Sequence, residues 1–458
     1  MSSPSALGDA TPTAAREATP SLPRLLAGLC PEGALTLAEH ISVHGPAPTI
    51  FGRGRRRARE RAAMLIAEIE RAGLLGRGGA AFPTAVKMRA VAEARRRAVV
   101  VANGAEGEPA SLKDRTMLET LPHLVLDGAI LAAEAVRAEE VIVCVCESAE
   151  DGIDRMAQAI DERSSSAAGR SPALRLVSVP DHYVAGQESA LVRHLNGGPA
   201  KPTFTPPMPF EQGVGARPTL VDNVETLAHV ALIARHGAAW FRQLGTRTQP
   251  GSALVTLSGP VARPAVYEIE HGAALSSLID AAGGATGHVR GALIGGYSGS
   301  WVGGEHLSTL ALSNAQLAPH GASLGAGVVL LLSGEACPVA ETARVARWLS
   351  GQSARQCGPC THGLDALAGT IERLARGEGG ADAVIRIDAL SSLLERRGAC
   401  GHPDGAVNLV LSALEAFERE FADHAVHGPC ERCARPAELP LPATSTPPTD
   451  VGREMRRR

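Results

Sequence analysis

Three apolar runs, AVVVANG over 98–104, EVIVCVC over 140–146 and LRLVSVP over 174–180, are separated by stretches of helical period. This alternation constrains the fold more than any other feature. Continuous apolar strands need cover on both faces, and strands joined through helices pair in parallel, so the pattern predicts an α/β unit built on a parallel sheet. Between the runs, PHLVLDGAILAAEAV over 122–136 has the composition and length of a buried helix. Ligands in such sheets bind at the carboxyl ends of the strands. The unusual loops of this sequence lie at those ends.

The chain is 458 residues long and 45% hydrophobic, with 45 basic and 48 acidic residues. That balance excludes a disordered tail protein and a nucleic-acid binder held by bulk charge, and the length predicts about two to four domains. Only Lys87, Lys113 and Lys201 among the basic residues are lysine; an ammonium does not interchange with a guanidinium, so each is a candidate for its own chemistry. Nine cysteines, an odd number in a long chain, predict a reducing cytoplasm rather than a disulfide framework. Cys144 and Cys146 read as core thiols, and Cys30 has no evident partner. The N-terminus lacks the apolar core of a signal peptide. The most apolar stretch, Leu124 to Val136, is shorter than a membrane span and carries Asp127 and Glu134. Direct membrane insertion is not expected; any place at the inner face of a membrane would come through partners.

From Ser252 the pattern changes to short strands around the helical segment LSSLIDAAGG, a small α+β unit. Beyond Pro338 the period is helical almost to His427. The last segment, PAELPLPATSTPPTDVGREMRRR, is rich in Pro and Thr and predicts a disordered tail.

The polar loops follow one another in a specific order. GRGGAAFPTAVK places Gly76, Gly78 and Gly79 before a helix, where bare backbone and free amides can receive a phosphate. NGAEGEPASLKDR, YVAGQESAL and PTLVDNVETLA come next. This succession, from about Ile66 to His427, resembles the NADH-binding FMN and iron–sulfur flavoprotein subunit family of respiratory complex I (the 51 kDa subunit) and related soluble dehydrogenases.

The resemblance implies a Rossmann-like α/β FMN domain over 58–250, a ubiquitin-like β-grasp (SLBB) domain over 251–335 and a helical iron–sulfur domain over 336–430. An N-terminal tail and lead-in over 1–57 and a disordered tail over 431–458 flank them. It implies FMN contacts at Gly76, Arg77, Gly78, Lys87, Asn103, Glu106, Tyr183, Gly186, Glu188, Asp222, Asn223 and Thr226, and NADH contacts at Phe82 and Glu108. The family pattern is altered at Ala105, Gln187 and Asp222. Two aromatic positions of the nucleotide pocket are Ala90 and Met208, and a pocket lysine is Thr205. Since a base–aromatic stack contributes about 1–3 kcal/mol, these losses predict a weaker grip on NADH than on FMN.

In SGQSARQCGPCTHG and the later ERRGACGHPDG, Cys357, Cys360 and Cys400 match three ligands of the family's iron–sulfur cluster, while the fourth position is Ala354. A [4Fe-4S] cluster with a substitute ligand or a [3Fe-4S] cluster would satisfy this set. Cys430 and Cys433, in HGPCERC, either supply the missing thiolate or join Cys357 and Cys360 in a zinc site. Cys337 is expected in the core, and His362 and His402 as surface or capping residues. The function implied is transfer of a hydride from NADH to FMN, and of single electrons through the cluster to a ferredoxin-like or [2Fe-2S] protein, in some settings within a larger oxidoreductase complex. The alternative is a scaffold of the same fold with structural zinc.

Overall fold

The computed structural model describes residues 22–29, 33–46, 48, 55–94, 96–166 and 172–442, and side chains at all of these but 55–58 and 166. Cys30 and the segments 1–21 and 443–458 lie outside the described residues.

The first unit runs α1 (Leu37–His44), α2 (Arg55–Ala72), α3 (Thr84–Ala92), β1 (Ala98–Gly104), α4 (Lys113–Thr120), α5 (Pro122–Val136), β2 (Ala138–Cys146), α6 (Glu150–Ser166), β3 (Ala173–Val179), α7 (Glu188–Leu195), β4 (Thr219–Asn223) and α8 (Val224–Phe241). Its four strands are all parallel, in the order β3-β2-β1-β4. Consecutive residues of β1 and β2 are buried, which requires cover on both faces. Cys144 and Cys146 are among them, as their apolar run implied. Helix α5 packs on β1 and β2, and α8 on β1 and β4. The two helices touch through backbone at Gly128, where a Cβ would sit 1.7 Å from the Leu227 carbonyl oxygen.

The second unit comprises β5 (Ser252–Ser258), β6 (Ala265–Glu270), α9 (Leu275–Ala281), β7 (Val289–Ile294), β8 (Ser300–Gly303), α10 (Asn314–Leu317) and β9 (Val328–Ser333). Its sheet has the order β6-β5-β9-β7-β8, with β5 and β9 parallel and the other pairs antiparallel. Alternate residues of β9 divide between two cores. Val329 and Leu331 join α9 beneath one face, while Val328, Leu330 and Leu332 join the helical bundle on the other. That bundle is α11 (Pro338–Gly351), α12 (Leu364–Ala375), α13 (Asp382–Leu394), α14 (His402–Ala416) and α15 (Glu418–His427).

The disordered tail expected from residue 431 begins instead as a docked strap. Glu431–Ala434 form a 3-10 turn, and Leu439 is 2% exposed in the bundle core. The Glu341 carboxylate accepts from the Glu438 and Leu439 amides at 3.0 and 3.2 Å. Composition alone misses this because one buried leucine and two backbone donors suffice to anchor a proline-rich strand.

Gly128→Ala forces α5 away from α8. Overpacking against backbone costs about 1–3 kcal/mol, so the urea midpoint should fall accordingly; an unchanged midpoint would refute the backbone contact.

Candidate functional site

The chain runs outward from β1 through β2 to β3 and then returns to place β4 on the other side of β1, so the crevice between the β1 and β4 ends is the switch point of the sheet. Asn103 and Asn223 lie in register there. Asn103 Nδ2 donates to the Gly186 carbonyl at 2.8 Å, drawing in the loop before α7. Only glycine fits at 186, where a Cβ would approach the Ala105 carbonyl oxygen to 2.3 Å. Asn223 caps α8 by accepting from Glu225 N at 3.0 Å. From the other side, Arg77 N donates to Thr226 Oγ1 at 2.8 Å, which seats the glycine loop on α8. Lys87, one helical turn into α3, donates to the Val221 carbonyl at 2.8 Å and stands 3.8 Å from Asp222 and 3.7 Å from Glu188.

Gly76, Arg77, Gly78, Lys87, Asn103, Gly186, Glu188, Asp222, Asn223 and Thr226 thus gather around one crevice. Arg77 contributes backbone rather than charge: its buried guanidinium donates inward to the Ser252 and Leu75 carbonyls at 2.9 and 3.1 Å. Glu106 turns to the first turn of α4, accepting from Ser111 Oγ and from the Asp114 and Arg115 amides at 3.2 and 3.1 Å. Burial, together with Asp114, raises its carboxyl to about 7. Gln187 uses its side-chain oxygen to cap α7, through Ser189 N and Ala190 N at 2.8 and 3.0 Å.

Beneath the crevice lies a charge network that motif matching does not assign. Lys113 Nζ is 2.6 Å from Asp114, 3.1 Å from Glu225 and 3.3 Å from Asn223 Oδ1, all buried. Burial works against its charge, but Asp114 and Glu225 outweigh that and raise its pKa. The scarcity of lysine was the available signal.

The donor set fits a phosphorylated flavin. It combines a glycine loop opening a helix, an ammonium, two asparagine amides and a buried acceptor, Asp222 Oδ2, with no protein partner. Nearer the surface, Phe82 is 49% exposed, and Phe204, Thr205 and Met208 are exposed as well. Glu108 is not at that open face. It is buried, accepting from Tyr297 N at 2.7 Å, Ala110 N at 3.2 Å and Tyr183 Oη at 3.4 Å, and burial raises its carboxyl to about 7. Tyr183 stands where the three units meet: its hydroxyl pairs with Ser298 Oγ at 2.6 Å, and its ring is 5.3 Å from Trp348 and 5.5 Å from His402.

Beyond Trp348, Cys357 and Cys360 flank the start of a π-turn (Pro359–Gly363). Burial pushes the Cys360 thiol up to about 12, with Cys357 and Cys400 adding to it. Burial also works on Cys357, but the Ala399 and Cys360 amides outweigh it and lower its pKa. His402 is buried rather than superficial, pairing with the Leu349 carbonyl at 2.9 Å. Ala354, in the same loop, is buried. Cys400 lies close enough to Cys357 and Cys360 for their charges to act on one another, and thiolate is the ligand type that an iron–sulfur cluster takes.

Cys430 and Cys433 do not join that set. They meet Cys337 and His424 instead, which corrects both sequence readings of the pair; Cys337 itself is buried in the bundle core, as expected. The strap folds against the start of α11, and this long-range closure is not encoded in the local spacing.

Burial raises the Asp222 carboxyl to about 6, with Lys87 opposing and Glu188 adding. Between about pH 4 and pH 6 the folded chain therefore binds more protons than the unfolded chain, and stability falls as pH rises through that window. Asp222→Asn should gain up to about 3 kcal/mol on the parent between pH 4 and pH 7 in urea titrations; parallel pH curves would refute the assignment. Ala354→Cys should increase iron retention by completing a four-thiolate set, and Cys360→Ser should abolish it. Iron content unchanged in both would refute the cluster placement.

Three family models match the chain. Residues 69–232 match the Nuo51 FMN-binding domain, 254–294 the SLBB domain, and 340–424 the NADH-ubiquinone oxidoreductase-F iron-sulfur binding region. An NADH-quinone oxidoreductase subunit of Rhizobium meliloti (strain 1021) is 32% identical over 368 residues, 78% of this chain and 87% of the relative. The mitochondrial NADH dehydrogenase [ubiquinone] flavoprotein 1 of Dictyostelium discoideum is 30% identical over 374 residues, 78% of this chain and 78% of that one. A chain of the NAD+-reducing [NiFe]-hydrogenase, solved in the H2-reduced state, superposes with a TM-score of 0.76 at 31% identity; the match covers 81% of this chain and 64% of the hydrogenase chain. With the flavin crevice, the β-grasp unit and the cysteine-bearing bundle in that order, the chain belongs to the 51 kDa subunit family of NADH dehydrogenase-like flavoprotein oxidoreductases.

Proposed function

We propose that the chain takes a hydride from NADH onto FMN in the β1/β4 crevice and relays electrons through an iron–sulfur centre on Cys357, Cys360 and Cys400. The observation that carries this reading is the convergence of Lys87, Asn103, Asp222, Asn223 and the glycine loop on one strand-end crevice. FMN, when bound, supplies the chemistry of accepting a hydride and releasing electrons singly. The protein supplies position and charge. Lys87 offers an ammonium to anionic oxygen, Asn103 and Asn223 are locked by their own hydrogen bonds, and the loop beyond Arg77, bare at Gly78 and Gly79, brings backbone toward a phosphate.

Contacts between the units support relay to the cysteines. Gln352 Oε1 accepts from Tyr183 N at 3.0 Å, and Gln356 Nε2 donates to the Pro202 carbonyl at 2.7 Å. Arg193 also donates to Gln356 at 2.8 Å. The cysteine loop is thereby tied to the segments that border the crevice. The onward acceptor in this reading is a ferredoxin-like or [2Fe-2S] protein within a larger oxidoreductase assembly. Among the described residues no helix is long and apolar enough to cross a membrane, so any place at a membrane would come from that assembly.

Mixing the oxidised protein with excess NADH in a stopped-flow spectrometer should bleach the flavin. No bleaching with flavin bound would remove NADH as the donor. Met208→Phe restores a stacking surface at the exposed edge and should lower the NADH half-saturation about tenfold or more; no change would show that the nucleotide does not lie against this segment.

A further inference from the structure

The strap that follows α15 completes a second group of metal-ligating side chains. Cys337, at the N-terminus of α11, His424, on α15, and Cys430 and Cys433, on the strap, bring four ligand atoms within 4.8 Å of one another. Sγ of Cys433 is 3.4 Å from Cys337 Sγ, 3.8 Å from Cys430 Sγ and 3.2 Å from His424 Nε2; Cys337 Sγ is 3.5 Å from the same nitrogen. The sulfurs are too far apart for a disulfide, which needs about 2.05 Å. They are at the spacing of ligands around one ion, because bonds of about 2.3 Å to sulfur and 2.0–2.1 Å to nitrogen in a tetrahedron put neighbouring ligands roughly 3.5–3.8 Å apart.

The histidine is set for the same purpose. Its Nδ1 lies 2.7 Å from the Glu420 carbonyl, an acceptor only, so Nδ1 carries the proton and the Nε2 lone pair faces the sulfurs. Fixing the ligating nitrogen through a hydrogen bond on the other one is the usual outer-shell arrangement of a metal-bound histidine. Cys337 and His424 are both 2% exposed. None of Cys357, Cys360 and Cys400 belongs to the group, and Cys337, Cys430 and Cys433 all lie outside the 340–424 stretch that matches the iron–sulfur region.

We propose that Cys337, His424, Cys430 and Cys433 bind one zinc ion that staples the C-terminal strap to the bundle. Three thiolates and one imidazole in a closed, tetrahedral set are a structural zinc combination, with no position left for substrate. The ion secures more than the strap. Tyr297 Oη donates to the Pro440 carbonyl and Arg344 Nη2 to the Leu439 carbonyl, at 3.3 Å for the latter. Tyr297 N in turn binds Glu108, so the strap braces the β-grasp loop that closes over the NGAEGE turn.

Metal analysis of the full chain, purified anaerobically with thiols reduced, should find one zinc per chain beside the iron. Cys433→Ser and His424→Gln should each lower zinc at least about tenfold, leave iron and flavin in place, and speed proteolysis after His427. Cys357→Ser should do the reverse, losing iron and keeping zinc. Zinc far below one per chain in the parent, zinc retained by Cys433→Ser, or iron lost from that variant in place of zinc would each overturn the proposal. Should the variants fail to fold, zinc-edge X-ray absorption of the parent decides: a shell of three sulfurs and one nitrogen is expected, and any other shell overturns it.

Discussion

The salt bridge between Lys113 and Glu225, 3.1 Å long and shut away from water, sets the position of nearly everything that surrounds the flavin crevice. Lys113 starts α4 and Glu225 lies in the first turn of α8. Glu225 also accepts from Leu254 N of β5 at 2.9 Å and lies 3.7 Å from the Arg77 guanidinium. One carboxylate therefore joins the glycine loop, the β4–α8 turn and the first strand of the β-grasp unit. Losing one partner of such a pair strands the other charge in the interior at a cost of about 3–5 kcal/mol. The network thus rigidifies the crevice more than it contributes net stability. Asn223 inherits that rigidity, because Lys113 and Asp114 hold its amide from below.

A second junction, around Glu108 and Tyr183, joins the crevice to the rest of the molecule. Glu108 reaches out of the first unit to accept from Tyr297 N in the loop after β7, while Tyr183 packs between Ser298 and the rings of Trp348 and His402. A chain that relays electrons needs its cofactor regions at fixed separation, and these polar contacts, with the apolar core shared by the β-grasp sheet and the bundle, impose it. The strap, pinned through Tyr297, extends the same bracing to the far side of the β-grasp sheet.

Local patterns made much of this legible in the sequence. The alternation of apolar runs announced the parallel sheet, since burial on both faces leaves no room for polar residues over 98–102 of β1 and 141–146 of β2. The helix expected from about Pro122 to Val136 was readable from its composition. Ordered polar loops pointed to the crevice, and ten of the twelve flavin candidates converge there. The other two, Glu106 and Tyr183, bond to a helix start and at a junction between units, partners that no one-dimensional motif shows.

What the sequence determined by itself was every feature carried by short range: strand and helix period, the glycine loop, the CxxC of Cys357 and Cys360, and the pairing of Cys430 with Cys433 along the chain. Tertiary structure alone decided which of these meet. Cys337 and Cys433 are 96 positions apart and touch only because the strap doubles back. Lys113 and Glu225 likewise pair only once β1 and β4 lie side by side. Period and spacing follow from the geometry of the backbone within a few turns, whereas a charge or a thiolate finds its distant partner only when burial of the apolar strands has already fixed the path between them.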